Sequence, residues 1–576
     1  MTSTAARMLS GLDSEQRSAA EALHGPVCVL AGAGTGKTTA ITHRIAYGVA
    51  SGVYSPHRVM ALTFTARAAA ELRSRLRLLG AGGVSARTFH AAALSQLGYF
   101  WPQVIGGFMP RILESKGRVI AQAAEAVGLA FDTAALRDLA AEIEWRKVSR
   151  LTYEQYAEAA ATRTLPGGVA VGPLLDVHHA YERIKDERRQ IDFEDVLLAT
   201  AGMLESEPRV AVHVREQYRF FVVDEFQDVS PLQEHLLGLW LGEREDLCVV
   251  GDASQTIYSF AGASSAPLLS FPARYPNATV VTLETNYRST PPIIATANRL
   301  MRGRPGALTL TPASTEATPR ARAAEPEITS HLNDSAEARA VAQQVAEEIA
   351  SGTAPQDIAV LYRVNAQAAL LESALSDAGV PFQLRGATRF FDLPEVKQAL
   401  MMIKGATVAA VAEPLFKTVS DVLRSLGWSQ NPPETRGAVR DRWESLNAVM
   451  GMAEAAAAGT TLRQFSDELA ERAASQHEPT LAAVTLATVH SAKGLEWECV
   501  YVIGVSEGYF PIMYATDASA VDEERRLLYV AITRARRRLA LSWTRSGYGR
   551  GSARQPSRFL EELRTRTSDA APHGSQ

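Results

Sequence analysis

VCVLAGAGTGKTT, residues 27–39, joins a short apolar run to a glycine-rich turn and then to the start of a helical pattern. A strand, a turn and a helix in this order bring backbone N–H groups around phosphate oxygens at the helix N-terminus. The residues predicted to form this cradle are Ala33, Gly34, Thr35, Gly36 and Thr39. The ammonium of Lys37 would reach the β and γ phosphates of a nucleotide, and the hydroxyl of Thr38 would hold Mg²⁺. The stretch predicts a nucleotide-binding P-loop, which taken alone fits a kinase as well as an ATPase.

Similar short apolar runs precede helical patterns elsewhere in the chain. They are RVMALTF, FFVVDE and DLCVVGD in the first half, and DIAVLY and ECVYVIG in the second half. Strands that alternate with helices are typical of parallel sheets. We therefore expect an α/β fold with two cores, each a parallel sheet flanked by helices.

Two long stretches without strand patterns interrupt these cores. They cover residues 96–189 and 396–478, and we interpret each as a helical insertion in one core. The predicted boundaries are 1–95 and 190–290 for the first core, 291–395 and 479–560 for the second core, and 561–576 for a flexible tail. Segment 301–327 is rich in Pro, Ala and Thr and is predicted to be a loop.

The composition bounds the class of protein. With 576 residues, 46% of them apolar, the chain can bury several hydrophobic cores. We find neither a long apolar span nor a secretory signal, so we expect a cytoplasmic protein without a membrane partner. The three cysteines each lie in an apolar run, which favours buried side chains and no structural zinc. The net charge of −4 implies that any nucleic-acid surface is a local groove.

Paired carboxylates follow a second apolar run, in FFVVDEFQD at residues 220–228. The strand would deliver Asp224 and Glu225 to the edge of the sheet where the P-loop lies. Asp224 would anchor Mg²⁺, and Glu225 would orient and deprotonate a water molecule. A carboxylate base directed at water indicates hydrolysis, which argues against a small-molecule kinase.

Six longer stretches make the pattern specific. They are LTFTARAAAELRSRL (62–76), DEFQD (224–228), GDASQTIYSFAGA (251–263), LETNYRST (283–290), VTLATVHSAKGLEW (484–497) and EERRLLYVAITRARRRL (523–539). In this order they resemble the motifs of superfamily 1A DNA helicases of the UvrD/PcrA/Rep family. The resemblance spans nearly the whole chain and is strongest to the second, HRDC-associated UvrD-type helicase of actinobacteria. It implies two RecA-like P-loop domains that bind ATP and Mg²⁺.

The resemblance also implies residues that contact the nucleotide. Gln16 and Tyr287 would contact the adenine, and Glu496 would bind the ribose. Gln255 would contact the γ phosphate. Arg288 and Arg534, from opposite α/β cores, would act as paired arginine fingers on the γ phosphate. A guanidinium stabilises the charge of the transferring phosphoryl group only when it is in contact with that group.

Single-stranded DNA would lie along the edges of both cores. The residues that fall in strand-contacting motifs of the family are Phe64, His90, Tyr258 and Phe260. Aromatic rings stack on any base with about 1–3 kcal/mol each, so such a groove holds DNA without reading sequence. Isolated phenylalanines are often core residues, but the polar or small neighbours of Phe64 and Phe260 argue against that.

The chain departs from the family pattern in several places. Phe260-Ala261-Gly262 stands where relatives usually have Trp-Arg-Gly, which predicts a weaker hold on the strand. The second insertion, at 396–478, is much shorter than the corresponding subdomain 2B. That subdomain is thought to contact duplex, so strand separation is less certain than translocation. We also expect the cysteine cluster and HRDC module of the actinobacterial subgroup to be missing.

We expect an ATP-dependent 3′-to-5′ DNA helicase that acts on single-stranded DNA and on junctions between single and double strands, with possible repair or replication partners. The polarity rests wholly on the resemblance. One alternative is a translocase that displaces proteins from single strands and unwinds poorly alone. Others are a helicase-nuclease subunit of the RecB or Adn kind, for which nothing resembling a nuclease domain follows residue 545, and a non-enzymatic scaffold. Intact Lys37, Asp224 and Glu225 argue against the scaffold.

Overall fold

The computed structural model forms two compact units. The first unit comprises residues 1–284 and 305–309, and the second comprises 285–304 and 310–576. The structure describes residues 2–131, 133–161, 165–313, 324–364, 367–385, 391, 393–407, 414–431, 438–454, 456–457, 459–475, 482–513, 515–546 and 553–563. Most of the predicted tail and part of the predicted loop at 301–327 lie outside these ranges.

The first unit contains a parallel six-stranded sheet and a separate two-stranded ladder. Its strands are β1 (Val27–Ala31), β2 (Val59–Thr63), β3 (Ser85–Thr88), β4 (Arg111–Ile112), β5 (Gln190–Ile191), β6 (Phe220–Val223), β7 (Leu247–Gly251) and β8 (Thr279–Leu283). The six-stranded sheet has the order β3-β2-β6-β7-β1-β8, and β4 pairs with β5. Because all six strands are parallel, their carboxyl ends share one edge. The residues that follow these strands therefore lie near one another.

Fourteen α-helices are described in the first unit, and most of them flank this sheet. They are α1 (Thr2–Leu9), α2 (Ser14–Glu21), α3 (Lys37–Ala50), α4 (Ala66–Leu78), α5 (Phe89–Val104), α6 (Lys116–Ala126), α7 (Thr133–Val148), α8 (Tyr153–Ala160), α9 (Val171–Glu187), α10 (Phe193–Ser206), α11 (Pro208–Gln217), α12 (Pro231–Leu241), α13 (Ala266–Leu269) and α14 (Phe271–Arg274). Alternate residues of β1 enter different cores: Cys28 packs on one face, and Val27 and Val29 pack on the other. This alternation is the side-chain period of a strand buried on both faces.

Helices α6 to α9 enclose a hydrophobic core of their own. Ile120, Leu139, Tyr156, Leu174 and Tyr181 are fully buried in it. These helices lie within the range 96–189 that the sequence predicts for the first insertion. Helix α5 spans the predicted boundary at residue 95 and packs into the core of the sheet instead.

The second unit repeats the parallel architecture. Its strands are β9 (Thr285–Asn286), β10 (Thr311–Pro312), β11 (Glu327–His331), β12 (Ile358–Tyr362), β13 (Phe382–Arg385), β14 (Val484–Thr488), β15 (Trp497–Val502) and β16 (Ala535–Thr544). The main sheet has the order β11-β16-β15-β12-β14-β13 with every pairing parallel. The fold class expected from the sequence, two P-loop-type α/β domains, is therefore confirmed.

Nine helices are described in the second unit: α15 (Pro291–Met301), α16 (Asp334–Ala350), α17 (Ala368–Asp377), α18 (Pro394–Ala406), α19 (Leu415–Ser425), α20 (Ala438–Glu454), α21 (Leu462–Ser475), α22 (Ala518–Ile532) and α23 (Arg558–Leu563). Helices α18 to α21 share a core around Val396, Val419, Leu423 and Leu446. In the sequence these four helices come between β13 and β14, in the region predicted for the second insertion.

The segment that carries Arg288 differs from the sequence expectation. Residues 285–304 belong to the second unit, although the first core was expected to extend to residue 290. The reason is a set of contacts with the start of β16: Thr290 N donates to Arg536 O at 2.9 Å, and the Ser289 hydroxyl donates to Ala535 O at 2.6 Å. Arg288 and Arg534 therefore lie in one unit and not in opposite cores.

Two further features concern the whole described part of the chain. Within it, none of the helices combines the length and the apolar character needed to cross a bilayer. Cys28, Cys248 and Cys499 are buried and carry free thiols. Burial raises the pKa of the thiols of Cys28 and Cys499 to about 12, so both stay protonated at neutral pH.

Candidate functional site

The predicted phosphate cradle connects β1 to α3. Its turn is closed by the hydroxyl of Thr35, which donates to Gly32 O at 2.9 Å, and Gly32 N donates to Leu283 O at 3.1 Å. The first residue of α3 is Lys37, whose Nζ lies 3.2 Å from Ala31 O at the end of the strand. Thr38 and Thr39 follow in the first turn of α3, where unpaired backbone N–H groups favour an anion.

Gln16 packs directly against this turn. Its Nε2 donates to Thr35 O at 2.9 Å, and Asp13 holds the start of α2 by accepting from Gln16 N. Gly36 has a φ of 81°, and a Cβ there would lie 2.6 Å from Gln16 Nε2. The left-handed backbone and the close amide both require glycine at this position. The structure thus joins Gln16, predicted to contact adenine, to the predicted phosphate loop.

The two carboxylates follow β6, near the centre of the sheet. Glu225 has a φ of 53°, a left-handed backbone that costs a non-glycine residue free energy. Its N–H donates to Asp224 Oδ1 at 2.9 Å, and Asp224 N donates to Leu62 O at 2.8 Å. This backbone turn directs successive carboxylates to the same edge of the sheet.

A buried glutamine connects these carboxylates with the predicted phosphate sensor. Gln227 Nε2 donates to Glu225 Oε2 at 2.5 Å, and Gln227 Oε1 accepts from Asp252 N at 3.0 Å. Asp252 Oδ2 in turn accepts from Gln255 Nε2 at 2.7 Å. Gly251 has no Cβ because one would lie 2.6 Å from Gln227 Oε1. A continuous chain of hydrogen bonds therefore runs from the predicted base to the predicted sensor.

The donor set at this edge suits a divalent cation. Asp224 and Thr38 offer a carboxylate and a hydroxyl, the oxygen ligands that Mg²⁺ prefers. Burial and the neighbouring Glu225 together raise the pKa of Asp224 to about 7, although Lys37 opposes the rise. Two partly buried carboxylates held side by side need a compensating cation when both are ionised. The residues present fit the Mg²⁺ site that the sequence predicts.

In the second unit, Arg288 and Glu496 form an ion pair. Arg288 Nε lies 2.5 Å from Glu496 Oε2, and Arg288 Nη1 donates to Thr533 O at 3.1 Å. Glu496 also pairs with Arg536. Burial alone would raise the pKa of Glu496, but Arg288 and Arg536 hold it below its usual value. The predicted ribose ligand and one predicted arginine finger therefore contact each other.

Arg534 lies deeper in the same unit, with 2% of its surface exposed. Its Nε donates to Val530 O at 3.0 Å, its Nη1 to Leu495 O at 3.1 Å, and its Nη2 to the Thr533 hydroxyl at 3.1 Å. Arg288 and Arg534 thus converge on Thr533, one on its carbonyl and one on its hydroxyl. Tyr287, predicted to stack on adenine, is 43% exposed and directly precedes Arg288.

Three of the predicted DNA contacts form one aromatic strip on the first unit. The rings of Phe64 and Tyr258 stack with centroids 5.2 Å apart and planes 14° apart. Tyr258 meets Phe260 edge to face at 6.0 Å. Phe64 is 40% exposed and Phe260 63% exposed, so neither is a core residue. Thr65, which accepts from Ala68 N, caps α4 directly after Phe64 and fixes where this ring lies.

His90 lies apart from that strip, at the start of α5, and meets a fourth ring. Phe193 packs edge to face against it at 5.9 Å and is 55% exposed. Burial, together with Lys116, lowers the pKa of His90 to about 4, so the imidazole is neutral at physiological pH. It can stack or hydrogen-bond, but it cannot supply a positive charge to phosphate.

Gln227, Asp252 and Phe193 are not among the site residues expected from the sequence. The first two lie inside motifs that were recognised, DEFQD and GDASQ, but their connection depends on strands β6 and β7 being neighbours. Phe193 follows Asp192, an N-cap residue, in IDFED. The capping residue indicates where α10 begins and gives no information on the exposure of the ring that follows it.

Two family descriptions match the chain. "UvrD/REP helicase N-terminal domain" matches residues 12–276. "UvrD-like helicase C-terminal domain" matches residues 281–428 and 438–546. Together they cover most of the chain and include every predicted site residue.

Individual relatives show the same similarity. The ATP-dependent DNA helicase UvrD2 of Mycobacterium tuberculosis (strain ATCC 25618 / H37Rv) is 46% identical over 593 residues, covering 99% of this chain and 84% of the relative. DNA helicase II of Escherichia coli (strain K12) is 29% identical over 647 residues, with 96% and 88% covered. The ATP-dependent DNA helicase PcrA of Staphylococcus aureus (strain COL) is 27% identical over 648 residues, with 96% and 86% covered.

Proposed function

The chain belongs to the UvrD-like helicase family and is an ATP-dependent DNA helicase, and we propose that it moves 3′ to 5′ along single-stranded DNA and separates duplex ahead of it. The substrate is single-stranded DNA joined to a duplex. The two helical clusters, α6 to α9 and α18 to α21, are proposed to be inserted subdomains of the two α/β domains. Proteins of repair or replication are the expected partners.

One observation carries this proposal: Gln255 and Tyr258 belong to the same short segment after β7. Gln255 ends the hydrogen-bonded chain that starts at Glu225. Tyr258 stacks on Phe64 in the aromatic strip. A change at the nucleotide thus reaches the proposed DNA surface through two intervening residues. Such a connection fits a protein that couples ATP hydrolysis to DNA binding better than it fits a kinase or an ATPase without a second ligand.

Hydrolysis would use groups of the first unit. The P-loop N–H groups and Lys37 bind the phosphates, and Glu225 takes a proton from the attacking water. Gln227 orients the Glu225 carboxylate through its amide. Asp224 and Thr38 would hold Mg²⁺, which when bound neutralises charge on the β and γ phosphates. Gln255 would detect the loss of the γ phosphate.

We further propose that Arg288 and Arg534 stabilise the charge that develops on the transferring phosphoryl group. Arg288 would exchange Glu496 for phosphate oxygens, which frees the carboxylate to bind the ribose. Arg534 donates to three acceptors of its own unit, and these hydrogen bonds hold its guanidinium in place beside Thr533.

The aromatic strip would hold the strand. Bases stack on Phe64, Tyr258 and Phe260 with about 1–3 kcal/mol each, independent of sequence. Phe193, with His90 behind it, offers a fourth exposed ring on the same unit. The test is a comparison of ATP turnover with and without single-stranded DNA, followed by unwinding of duplexes with a 3′ or a 5′ tail. Turnover that ignores DNA, or unwinding only from a 5′ tail, contradicts the proposal.

A second candidate function is translocation with little unwinding. It is favoured by Phe260-Ala261-Gly262, which lacks the larger ring and the cation that relatives usually carry. Displacement of streptavidin from a biotinylated single strand, run beside the unwinding assay, separates the two functions. Displacement without unwinding would favour the translocase.

A further inference from the structure

The first turn of α10 is surrounded by lysines from three helices of the first helical cluster. Lys116 of α6 lies 2.6 Å from Glu194 Oε2. Lys147 of α7 lies 2.7 Å from Asp192 Oδ2. Lys185 of α9 lies 3.1 Å from the same oxygen. We call Lys116, Lys147 and Lys185 the lysine cluster.

Lys147 and Lys185 are buried, Lys116 is partly exposed, and the acidic residues around them nearly balance their charge. The side chains of Lys147, Lys185 and Asp192 are each 1–2% exposed. Both lysines also pair with Asp195 and with Glu182. Burial alone would lower the pKa of Lys147 and raise the pKa of Asp192. Their mutual attraction outweighs burial, so the pKa of Lys147 is raised and the pKa of Asp192 is lowered. Both groups therefore remain charged, and their geometry is fixed by mutual attraction.

Asp192 is the central residue of this arrangement. Its Oδ2 accepts from Lys147, from Lys185 and from the Tyr181 hydroxyl at 2.9 Å. Its Oδ1 accepts from Asp195 N at 2.9 Å, and Asp195 Oδ2 accepts from Asp192 N at 2.9 Å. The same carboxylate thus caps α10 and anchors α7 and α9 to it.

The cluster fixes the start of α10 and, with it, the ring of Phe193. Asp192 precedes Phe193 in the sequence, and Glu194 and Asp195 follow it. All three acidic side chains form ion pairs with the lysine cluster. Phe193 is the exposed member of the turn and packs edge to face on His90. These contacts hold the backbone on both sides of Phe193, and with it the position from which the ring extends to His90.

The end of α7 also contacts the aromatic strip. Val148 follows Lys147 and ends α7, and a Cβ at Gly262 would lie 2.8 Å from Val148 Cγ2. Gly262 is two residues after Phe260, in the turn that carries this ring. The helices α6 to α9 therefore contact both the turn that carries Phe260 and the turn that carries Phe193.

We propose that Lys147 and Lys185 are positioning residues for single-stranded DNA: they hold the first turn of α10 so that Phe193 can stack on a base. The inference rests on the proposed function, because it assumes that the exposed rings bind DNA. The acidic residues Glu182, Asp192 and Asp195 lie close enough to bind a metal ion, but the ammonium groups of Lys147 and Lys185 already contact all three.

The test replaces Lys185 by Met and compares it with Arg183→Met on the same helix. Arg183 is 62% exposed and pairs only weakly with Glu187, at 3.9 Å, so its loss removes the same charge from a solvated position. The measured quantities are the concentration of an oligothymidylate that gives half-maximal stimulation of ATP turnover, the KM for ATP, and turnover without DNA. Lys185→Met should raise the oligothymidylate concentration for half-maximal stimulation about tenfold, which corresponds to the loss of one base stack. The KM for ATP and the turnover without DNA should be unchanged. Arg183→Met should change the oligothymidylate concentration less than about twofold.

A double-mutant cycle with Phe193→Ala separates positioning from general damage. If Lys185 acts through Phe193, the double variant should bind DNA no more weakly than Phe193→Ala alone. Additive losses would overturn the proposal, as would Lys185→Met and Arg183→Met having equal effects. If Phe193→Ala leaves DNA stimulation unchanged, the ring is not part of the DNA surface. That result would contradict the proposed DNA contact of Phe193 itself, whatever Lys185→Met does.

Tyr181→Phe provides a milder variant in case Lys185→Met does not fold. It removes one hydrogen bond to Asp192 Oδ2 and leaves every charge in place. We expect a two- to fivefold weaker DNA stimulation at unchanged KM for ATP, since a neutral hydrogen bond contributes less than an ion pair. A folded Tyr181→Phe protein with normal DNA stimulation would contradict the inference.

Discussion

Arg288 and Glu496, 208 residues apart in the chain, are joined by an ion pair with Nε 2.5 Å from Oε2. The side chain proposed for the γ phosphate and the one proposed for the ribose therefore contact each other. A nucleotide that binds both must replace this ion pair with its own oxygens. Arg536, which also pairs with Glu496, would then remain as the partner of the carboxylate.

Arg288→Ala should reduce DNA-stimulated ATP turnover by about a thousandfold, because an arginine that stabilises the transferring phosphoryl group contributes that much. Affinity for single-stranded DNA should be unchanged. Fluorescence anisotropy with a labelled oligonucleotide and steady-state turnover measure the two effects separately. Weakened DNA binding with normal turnover would place Arg288 outside the nucleotide site.

Lys37→Ala should lower ATP turnover by at least about a hundredfold, both with and without DNA, because the phosphates lose their ammonium partner. Arg75→Gln, which breaks an exposed ion pair with Glu71, is a suitable control and should have normal turnover. Release of phosphate at saturating ATP is the measurement. Turnover above a tenth of the normal rate in Lys37→Ala would refute the proposed role.

Glu225→Gln should retain ATP binding and lose turnover by about 10²–10⁴-fold, since the amide cannot take a proton. Gln227 can still bond to the new side chain, so the turn should keep its shape. Binding of a fluorescent ATP analogue tests the first part, and a single-turnover assay tests the second. Normal turnover would assign the proton to another group.

Ala261→Arg should strengthen the hold on single-stranded DNA. The substitution restores the cation that relatives usually carry beside the aromatic strip, and one added phosphate contact on a single strand steepens the salt dependence by about 0.7 in log–log slope. Titrations of an oligothymidylate at several salt concentrations measure this slope. Ala261→Gln is the uncharged control and should leave it unchanged.

Acid should destabilise the first unit through a buried histidine. His178 is fully buried in the core of α6 to α9, and neither ring nitrogen has a hydrogen-bond partner among the described residues. Burial, with help from Arg146 and Lys147, lowers the pKa of His178 to about 3. The unfolded histidine binds a proton below pH 6.5 and the folded one does not, so stability falls as the pH falls from about 6.5 towards 3.

The slope from this one group reaches at most about 1.4 kcal/mol per pH unit. Thermal unfolding between pH 7 and pH 4 should show it, and His178→Phe should reduce the dependence by the same amount. The phenylalanine has a similar shape and no titrating nitrogen. An unchanged pH dependence in this variant would mean that other groups cause the acid sensitivity.

Apolar sequence patterns predicted the strands that precede most candidate site residues of the first unit. VCVLA, VMALT, FFVV and LCVVG are uniformly apolar and became β1, β2, β6 and β7. Strands β3 (SART) and β16 (ARRRLALSWT) were not predicted, because their polar residues hide the apolar pattern. In β16, Arg537 and Arg538 form ion pairs with Glu348, so positive charges can occupy a strand.

Motifs name the candidate site residues one by one, but they do not give the contacts between these residues. The P-loop, Asp224 and Glu225 follow from motifs, because each motif is contiguous in sequence. The contact of Gln227 with Asp252 depends on β6 and β7 being neighbours in the sheet. The placement of Arg288 in the second unit depends on its backbone neighbours binding to β16, which no local pattern encodes.

The absence of a side chain at Gly36 has a consequence for nucleotide choice. The amide of Gln16 rests on the carbonyl of Thr35 only because nothing projects from the next residue. The proposed base contact and the proposed phosphate loop therefore meet at one hydrogen bond. Replacing Gln16 to change the base preference would also remove this bond to Thr35 O, so the two parts of the proposed nucleotide site would have to be redesigned together.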